Sequence, residues 1–501
     1  MNPRKKSLAL GSTATLAGGA TGASLLAMLM AATPAGAVGS TYYVDTLADG
    51  APNAADCINN IVDSCSLRDA IAATNDGDTI VFASGVTGTI DIDMAEGQFE
   101  ITNEILIHGP GADLLTVAAS GYSRVFYLCA GPAMEFSGLT ITGGVELRGG
   151  GLYDECGDGF TLRDVVVTAN VAHAGSGGGF FSAGAVTLIN TVVSGNSSRD
   201  AGGGGVSGDL VMVGSTISGN IVQGNQGGGG VFAGGSVSIT SSTFDDNSAG
   251  LCGGGLYSEV DNGTITIIDS TFSNNAADTC YGGAIDIDGG YNTVVIANTT
   301  MTGNSAVAGG GLNADFGNNV TLFMNTISGN SATSTDAFYS GGGIHISGSD
   351  QGYDATTLTM VGTIVSGNTA VAGAADIGIG SNNNAGPYSI TVNDSLIGDV
   401  DPRLTITGTG NVTSTAPGLG ALADNGGLTK TMALLSTSPA VDAGPSVVPT
   451  FTGNGFDQRG TGFDRVSGTK SDIGAFEVQT APPATTTTVA PDEPVAPAFT
   501  G

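Results

Sequence analysis

Short segments of this chain alternate between apolar and hydroxyl-bearing side chains. Examples are 236–240 (SVSIT), 263–267 (GTITI) and 357–360 (TLTM). Residues two apart on a strand share a face, whereas an amphipathic helix repeats its apolar residues with a period of about 3.6. The alternation therefore predicts strands with one buried face and one face rich in Ser and Thr.

A unit of about 27 residues recurs along more than a third of the chain. Its marker is an apolar residue three places before an asparagine, as in Phe272 and Asn275, and a glycine cluster follows in seven of the eight units. The marker asparagines are Asn170, Asn196, Asn220, Asn247, Asn275, Asn304, Asn330 and Asn368. Their spacings are 26, 24, 27, 28, 29, 26 and 38 residues, and a period in this range is typical of a solenoid. The longest spacing predicts an extra loop near 349–355.

A unit of this length without a helical pattern can close one turn of a parallel β-helix, whose coils stack about 4.8 Å apart. No proline occurs between Pro132 and Pro387. Nearly every strand N–H in a stacked coil donates to a neighbouring coil, so proline is excluded from the interior. The sequence therefore predicts an all-β fold, a single-stranded parallel β-helix with a cap at each end.

The repeated asparagines and glycines are expected to form the corners of the coils. Asparagine tolerates left-handed backbone, and stacked asparagine side chains can hydrogen-bond into a ladder along the axis. Glycine supplies positive φ where the chain bends into the next strand. We therefore expect Asn275→Ala to destabilise the fold, whereas Asn292→Ala, outside the repeat position, should have almost no effect.

The first 37 residues have the features of a secretory signal peptide. Residues 4–6 (RKK) precede an Ala- and Leu-rich stretch, and residues 35–37 (AGA) follow it as a cleavage site. Removal of this segment leaves 10 basic residues against 45 acidic ones, a net charge of −35. Such a charge argues against a nucleic-acid partner, and no later apolar run is long enough for a transmembrane helix. We expect a secreted or cell-surface protein.

The cysteine positions predict three disulfides. Cys252 and Cys280 each lie five residues after a marker asparagine, so they should face each other in adjacent coils. The predicted pairs are Cys252–Cys280, Cys129–Cys156 and Cys57–Cys65. An even number of cysteines in an oxidising compartment favours disulfides over a metal site.

Three parts of the chain resemble known families. Residues 65–75 (CSLRDAIAATN) resemble the CSLREA motif, which begins a parallel β-helix in bacterial surface and secreted proteins; Asp69 replaces its Glu. The unit containing Phe272, Asn275 and 282–285 (GGAI) resembles the repeats of chlamydial polymorphic outer membrane proteins, which are surface adhesins. The segments LTKTMAL, SPAVDAG, DQRG and DIGAFE, in this order between 428 and 477, look like the choice-of-anchor Q domain. These resemblances imply a right-handed β-helix in a surface protein.

The predicted organisation has five parts. They are a signal peptide at 1–37, a CSLREA-like cap at 38–78, a parallel β-helix at 79–405, a choice-of-anchor Q-like region at 406–478 and a disordered Thr/Pro-rich tail at 479–501. Ser66 should cap a short helix in the first cap. Arg459 and Arg465 lie beside Asp457 and Asp464, which favours buried ion pairs in the C-terminal region.

The leading functional hypothesis is a non-enzymatic protein that presents a long face for adhesion or for binding an extracellular glycan or surface protein. The alternative is a polysaccharide lyase or glycoside hydrolase. Its best carboxylate pair is Asp286 and Asp288, on one side of a strand that begins at Gly282, and this pair could instead bind calcium. A lyase usually requires a basic residue, and the nearest ones in sequence are Arg199 and Arg403. The ligand, the anchoring mode and the oligomeric state are left open by the sequence.

Overall fold

A computed structural model describes residues 39–59, 64–224, 226–347, 356–380 and 389–479. The predicted signal peptide, the predicted loop at 349–355 and the tail after 479 lie outside these residues. Two short helices, α1 (Ala54–Ile58) and α2 (Leu67–Ala73), lie at the N-terminal end. The Ser66 side chain accepts a bond from the N–H of Asp69, and the Asp69 carboxylate accepts one from the N–H of Ser66. This capping box confirms Ser66 as the N-cap of α2.

Parallel strands form four sheets that run along the molecule. Sheet 1 has 14 strands: β1 (Thr41–Val44), β2 (Thr79–Phe82), β5 (Leu106–His108), β8 (Glu135–Ser137), β12 (Phe160–Arg163), β16 (Val186–Ile189), β20 (Leu210–Val213), β24 (Val237–Thr240), β28 (Thr264–Ile268), β32 (Thr293–Ala297), β36 (Asn319–Phe323), β40 (Thr357–Val361), β44 (Ser389–Asn393) and β46 (Thr405–Thr407). Sheet 2 has 13 strands: β3 (Gly88–Asp91), β6 (Leu115–Ala118), β9 (Thr140–Thr142), β13 (Val166–Thr168), β17 (Val192–Ser194), β21 (Thr216–Ser218), β25 (Thr243–Asp245), β29 (Thr271–Ser273), β33 (Thr300–Thr302), β37 (Thr326–Ile327), β41 (Ile364–Val365), β45 (Leu396–Ile397) and β47 (Val412–Thr413).

The other two parallel sheets have shorter strands. Sheet 3 has nine: β10 (Val145–Glu146), β14 (Val171–Ala172), β18 (Ser197–Ser198), β22 (Ile221–Val222), β26 (Ser248–Ala249), β30 (Ala276–Ala277), β34 (Ser305–Ala306), β38 (Ser331–Ala332) and β42 (Thr369–Ala370). Sheet 4 has 11: β4 (Phe99–Ile101), β7 (Phe126–Leu128), β11 (Leu152–Asp154), β15 (Phe180–Ser182), β19 (Gly205–Ser207), β23 (Val231–Ala233), β27 (Leu256–Ser258), β31 (Ile285–Ile287), β35 (Leu312–Ala314), β39 (Ile344–Ile346) and β43 (Ile377–Ile379). An antiparallel hairpin, β48 (Leu419–Ala423) with β49 (Thr431–Leu434), follows the last coil.

From β8 to β43 the chain visits sheets 1, 2, 3 and 4 in turn, and each strand pairs with the strand one coil away. This topology confirms the predicted parallel β-helix. Its connections are crossovers between parallel strands, which are right-handed in about 98% of cases. Strand β1 lies in the region assigned to the N-terminal cap, yet it pairs with β2 as the first strand of sheet 1. The stack of strands therefore begins before the predicted boundary at residue 79.

The interior of the coils is a continuous apolar column. Inward side chains of Ile, Leu, Val and Phe from successive coils stack on one another, as Phe244 and Phe272 do with ring centroids 4.7 Å apart. The outward positions of sheet 1 carry mainly Thr, Ser and Val, so its strands show the alternation expected from the sequence.

The eight marker asparagines form an unbroken buried ladder between sheets 2 and 3. In each step both the backbone N–H and the side-chain Nδ2 of one asparagine donate to Oδ1 of the next. Asn247 thus donates twice to Asn275, at 3.1 and 2.9 Å, and Asn275 donates twice to Asn304, at 2.9 Å each. The last member, Asn368, donates to Oδ1 of Asp376 instead.

The backbone at this corner differs from the prediction in one respect. The residue with positive φ is not the ladder asparagine but the residue before it, for example Ala169, Asp246 or Asn274. The backbone of the ladder asparagine leads directly into the sheet 3 strand, and the left-handed bend lies at the residue before it. Glycine supplies positive φ at the next corner as expected, with φ of 62° at Gly253 and 68° at Gly282.

The prediction for Asn292 is wrong. This residue is buried, and its N–H donates to Oδ1 of Asn318 at 2.8 Å, while its own Oδ1 accepts from the N–H of Gly263. Its Nδ2 donates to the carbonyls of Val260 and Gly289. Asn292 and Asn318 therefore form a second, shorter ladder at the corner that leads into sheet 1.

The three predicted disulfides are confirmed. Their Cα–Cα distances are 4.8 Å for Cys57–Cys65, 5.0 Å for Cys129–Cys156 and 4.8 Å for Cys252–Cys280. The last two pairs join adjacent coils, because their sequence separations of 27 and 28 residues are those of one coil. In the described part of the chain, no helix is long and apolar enough to cross a bilayer.

The C-terminal region lies along the outer face of sheet 2 and reaches back over several coils. The Gln458 side chain bonds to Thr271 and Thr300, and the Ala475 N–H donates to Oγ1 of Thr326. An apolar cluster of Ile364, Leu396, Leu434, Ala440 and Ile473 fills this interface. The region predicted as a cap therefore also braces the flank of the helix.

The two arginines of this region have different partners. Arg459 forms the predicted buried ion pair with Asp457 and lies between the rings of Phe463 and Phe476. Arg465 does not pair with Asp464; its guanidinium donates to the carbonyls of Gly474 and Ala475. The second predicted ion pair is therefore replaced by bonds that hold the end of the region in place.

Candidate functional site

The middle residue of each sheet 4 strand points outward, because the residues on either side of it point into the core. One such residue per coil forms a column along the molecule, which we call the outer column. From β7 to β43 its members are Tyr127, Tyr153, Phe181, Val206, Phe232, Tyr257, Asp286, Asn313, His345 and Gly378. The column is aromatic in its first part and polar in its second.

Neighbouring aromatic rings of the first part contact each other at tilted angles. Ring centroids are 6.1 Å apart for Tyr127 and Tyr153, 5.4 Å for Tyr153 and Phe181, and 5.4 Å for Phe232 and Tyr257. The rings of Tyr127, Tyr153, Phe181 and Phe232 are half-buried, so each leaves an edge or face open to solvent. This gives a strip of apolar surface with nearly one ring per coil.

Two arginines lie beside this strip. The guanidinium of Arg124 lies 4.5 Å from the ring centroid of Tyr153 and is held by the carbonyls of Arg148 and Gly149. Burial lowers the pKa of Arg124, although the carboxylate of Glu146 opposes this shift. Arg148 is exposed, with its guanidinium 5.8 Å from the ring centroid of Phe181. Arg124 therefore supports the strip, whereas Arg148 presents a cation at its edge.

The same coils carry a polar cavity on sheet 3. Strands β14 and β18 and the residues that follow them line this cavity, which has a volume of about 630 Å³. His173, Arg199, Asp200 and Gln223 contribute polar groups to it. Cationic and hydrogen-bonding groups thus accompany the aromatic strip on the N-terminal coils.

The polar part of the outer column is buried. Asn313 donates through Nδ2 to Oδ1 of Asp286 at 2.7 Å and to Oδ2 of Asp315 at 3.1 Å. Tyr257 donates to Oδ2 of Asp288 at 2.5 Å, and Ser347 donates to Oδ1 of Asp315 at 2.5 Å. Burial raises the pKa of both Asp286 and Asp315, and the neighbouring Asp288 raises that of Asp286 further.

Two loops bring tyrosines onto this part of the column. The ring of Tyr281 stacks with those of Tyr339 and His345, at centroid distances of 5.9 and 5.8 Å. The imidazole of His345 is buried, and Nδ1 lies 2.9 Å from the carbonyl of Ser340. Burial lowers the pKa of His345 to about 4. The neutral imidazole is therefore part of the packing.

The structure changes the interpretation of the predicted carboxylate pair. Asp286 and Asp288 share the outward side of β31 as expected, but Asp286 is only 1% exposed and is not on an open binding face. Arg403 bonds to Asp401 and to the carbonyl of Ile379, beyond the strand of His345. Asp286 thus shares the amide of Asn313 with Asp315, and Asp288 accepts from Tyr257.

Sequence reasoning missed the outer column, although the sequence contains a signal for it. Most glycine clusters are followed by an inward apolar residue and then by the column residue, as in Gly151-Leu152-Tyr153 and Gly255-Leu256-Tyr257. Aligning the units on their glycines would have placed these residues in one line. The covering loops, in contrast, have no periodic signal.

Comparisons with known proteins add little to this description. No family model matches the chain, and no curated protein matches it. Among solved structures, the crystal structure of pectate lyase Pel9A is similar over 87% of this chain and 96% of that chain, with 14% identity and a TM-score of 0.41. The fold assignment rests on the strand pairing described above.

Proposed function

We propose that the protein is a non-enzymatic, extracytoplasmic binding protein whose N-terminal coils hold an extended glycan along the outer column. The observation that carries this proposal is the strip formed by Tyr127, Tyr153 and Phe181, three half-buried rings in successive coils. The apolar C–H faces of sugar rings pack against aromatic rings, and tyrosine also offers a hydroxyl. One ring per coil suits a ligand that repeats along its length.

The charge next to the strip favours an acidic sugar. Arg148 is exposed beside Phe181, and His173 and Arg199 line the cavity on the neighbouring sheet. An arginine fork binds a carboxylate with two parallel hydrogen bonds. In a chain with a net charge of −32, Arg148 and Arg199 are the cations that an anionic ligand would contact.

Three disulfides support an extracytoplasmic location, because such bonds persist in oxidising compartments. The predicted signal peptide and the resemblance to surface β-helix proteins agree with this location. Adhesion through a bound glycan would be the biological use of the site.

The test is a glycan array with wild-type protein and with Tyr153→Ala combined with Phe181→Ala. The double variant should bind at least about tenfold more weakly, the result of losing two aromatic contacts. Tyr122→Ala, an exposed tyrosine outside the column, is the matched control and should bind like wild type.

A lyase and hydrolase screen on acidic polysaccharides completes the test. Cleavage by the wild type that disappears in Asp286→Ala with Asp288→Ala would replace the binding proposal with the enzymatic one. Binding that survives in the Tyr153 and Phe181 double variant would move the ligand away from the outer column.

A further inference from the structure

A second cavity lies at the N-terminal end of the outer column, between α2 and β4. Its volume of about 400 Å³ is within the range of small-molecule sites. Residues 98–103 form one wall, and Ile71 and Ala72 of α2 contribute to the other. Glu100 on β4 pairs in register with Tyr127, the first ring of the aromatic strip. The cavity therefore adjoins the strip, one coil before it begins.

The strand wall of this cavity offers backbone groups that point away from the sheet. Phe99 donates its N–H to the carbonyl of Val125. The Ile101 carbonyl accepts from the N–H of Cys129, so both β4 residues bond towards β7. The N–H and carbonyl of Glu100, between them, therefore face the opposite edge, where the cavity lies. Because β4 is the outermost strand of sheet 4 in the described part of the chain, this donor and acceptor are available to a ligand.

The charges around the cavity disfavour an anion. Glu96 and Glu100 line it and are exposed. Arg68 also lines it, but its guanidinium pairs with Asp49 at 2.8 Å and donates to two backbone carbonyls just before β4. A carboxylate oxygen accepts hydrogen bonds readily, so two carboxylates can bind several hydroxyl groups. The lining thus suits an uncharged ligand that is rich in hydroxyls.

The Gln98 side chain connects the cavity with the aromatic strip. Its Oε1 accepts from Nη1 of Arg124 at 2.9 Å, and the guanidinium of Arg124 lies 4.5 Å from the ring centroid of Tyr153. Its Nε2 lies 3.4 Å from Oε1 of Glu100. A ligand that entered the cavity would therefore contact groups held by the same arginine that supports the strip.

We infer that the cavity binds one uncharged sugar ring, the end residue of the glycan that lies along the strip. As the end of a glycan, this ligand rests on the proposed function. Phe181, beside the cation of Arg148, lies three coils from Glu100, or roughly 14 Å at the spacing of stacked strands. The preferred glycan would thus have a neutral end and an acidic group a few sugars further on.

The experiment titrates the protein with methyl glycosides of glucose and galactose and with the corresponding uronic acids, observed by saturation-transfer NMR. At least one neutral glycoside should bind about tenfold or more tightly than its uronic acid, because the two carboxylates of the cavity repel a third. Glu96→Gln combined with Glu100→Gln removes this repulsion and should bring the two affinities within about threefold of each other.

A blocking variant locates the site. Ala72→Trp should weaken binding of the neutral glycoside at least about tenfold, because Ala72 lines the cavity and an indole would fill it. Ala55→Trp, at an exposed alanine of α1 outside the cavity, is the matched control and should bind like wild type. The inference is overturned if no neutral glycoside binds the wild type, if the uronic acids bind equally well, or if Ala72→Trp binds normally. If Ala72→Trp does not fold, the double glutamine variant provides the test.

The outcome can be separated from that of the proposed function. If a neutral glycoside binds the cavity but no glycan on the array binds the strip, the proposed function fails and the cavity remains a sugar site of its own. If array glycans bind wild type and Ala72→Trp equally well, the strip stands and the end of the glycan does not lie in the cavity.

Discussion

The two parts of the outer column occupy the same backbone position but differ in chemistry. Residues 127–232 present half-buried rings beside cations, whereas residues 286–345 present carboxylate, amide and imidazole groups that are buried. The strands of both parts pair in the same register, so the difference comes from side chains and covering loops. A regular solenoid can therefore place an open surface and a closed polar site on one face.

Charge divides the molecule at the same place. Arg124, Arg148, Arg163 and Arg199 belong to the N-terminal coils, and no Lys or Arg occurs between Arg199 and Arg403. Every carboxyl group with a resolved pKa shift in the described residues lies between 269 and 477. The first part is suited to contact with a ligand, and the second has its charges enclosed.

The asparagine ladder should not distinguish the two parts, and its disruption should have the largest effect. Asn196→Ala and Asn275→Ala each leave the N–H and Nδ2 of the preceding asparagine without their acceptor. Each also removes the Nδ2 donor to a carbonyl of the preceding coil, whereas the following Oδ1 still accepts from the backbone N–H. We expect each variant to lose about 4 kcal/mol of unfolding free energy, measured by denaturant titration. Asn319→Ala, an exposed asparagine of sheet 1, should change it by less than about 0.5 kcal/mol. A large difference between the two ladder variants would mean that the corners are not equivalent.

The inter-coil disulfides offer a slightly smaller effect. Replacing Cys252 and Cys280 with serine should cost about 3 to 4 kcal/mol, because the bridge closes a loop of one coil in the unfolded chain. The disulfide between Cys129 and Cys156, in the aromatic part, closes a loop of similar size. Replacing these two cysteines with serine should therefore cost the same. If the first pair proves much more important, the covering of the polar part depends on its disulfide.

Asn292→Ala is expected to have an intermediate effect of about 2 kcal/mol. The substitution removes the acceptor of the Gly263 N–H and the donor to the Val260 carbonyl, but Gly289 keeps its bond from Asn318. Among the described residues of the aromatic coils, no pair of buried asparagines occupies this corner, so this variant probes the second part alone. A silent variant would show that the short ladder is redundant.

The smallest effect concerns pH. Burial raises the pKa of Asp269 and of Glu477 to about 7, so the folded state retains protons that the unfolded state has lost, and stability falls as pH rises from about 4 to about 7. His345 acts in the opposite direction: its pKa of about 4 makes stability fall as pH drops below about 6.5. Because two carboxyl groups oppose one imidazole, the melting temperature should be higher at pH 5 than at pH 7.5.

Asp269→Asn should reduce this dependence, because its amide does not titrate. Asp246→Asn, which removes an exposed carboxylate of the preceding coil, should leave the dependence unchanged. A melting temperature that rises steadily from pH 5 to pH 7.5 would contradict the assignment of the shifted carboxyl groups.

The sequence predicted the features that repeat and missed those that depend on distant residues. Asn275 and the glycines after it fixed the coil register, and that register placed Cys252 against Cys280. The burial of Asp286 was missed, because its partner Asn313 comes from the next coil and the stacked rings of Tyr281 and Tyr339 come from loops without a periodic signal. The position of the C-terminal region was missed for the same reason: Gln458 bonds to Thr300 across 158 residues without any pattern that announces the contact.

The asparagine ladder has a direction. In every step Oδ1 accepts from the preceding coil, and the N–H groups that bond to the next asparagine point towards the C-terminal coils. The side-chain amide dipoles therefore add up along the axis in the way that peptide dipoles add up in an α-helix, although Nδ2 also donates to a carbonyl of the preceding coil. Gly144 N–H occupies the negative end at Asn170, and the carboxylate of Asp376 occupies the positive end at Asn368. Asp376 thus acts as a stop for the repeat. A coil duplicated before it would extend the dipole, whereas a coil placed after it would have to begin a new one.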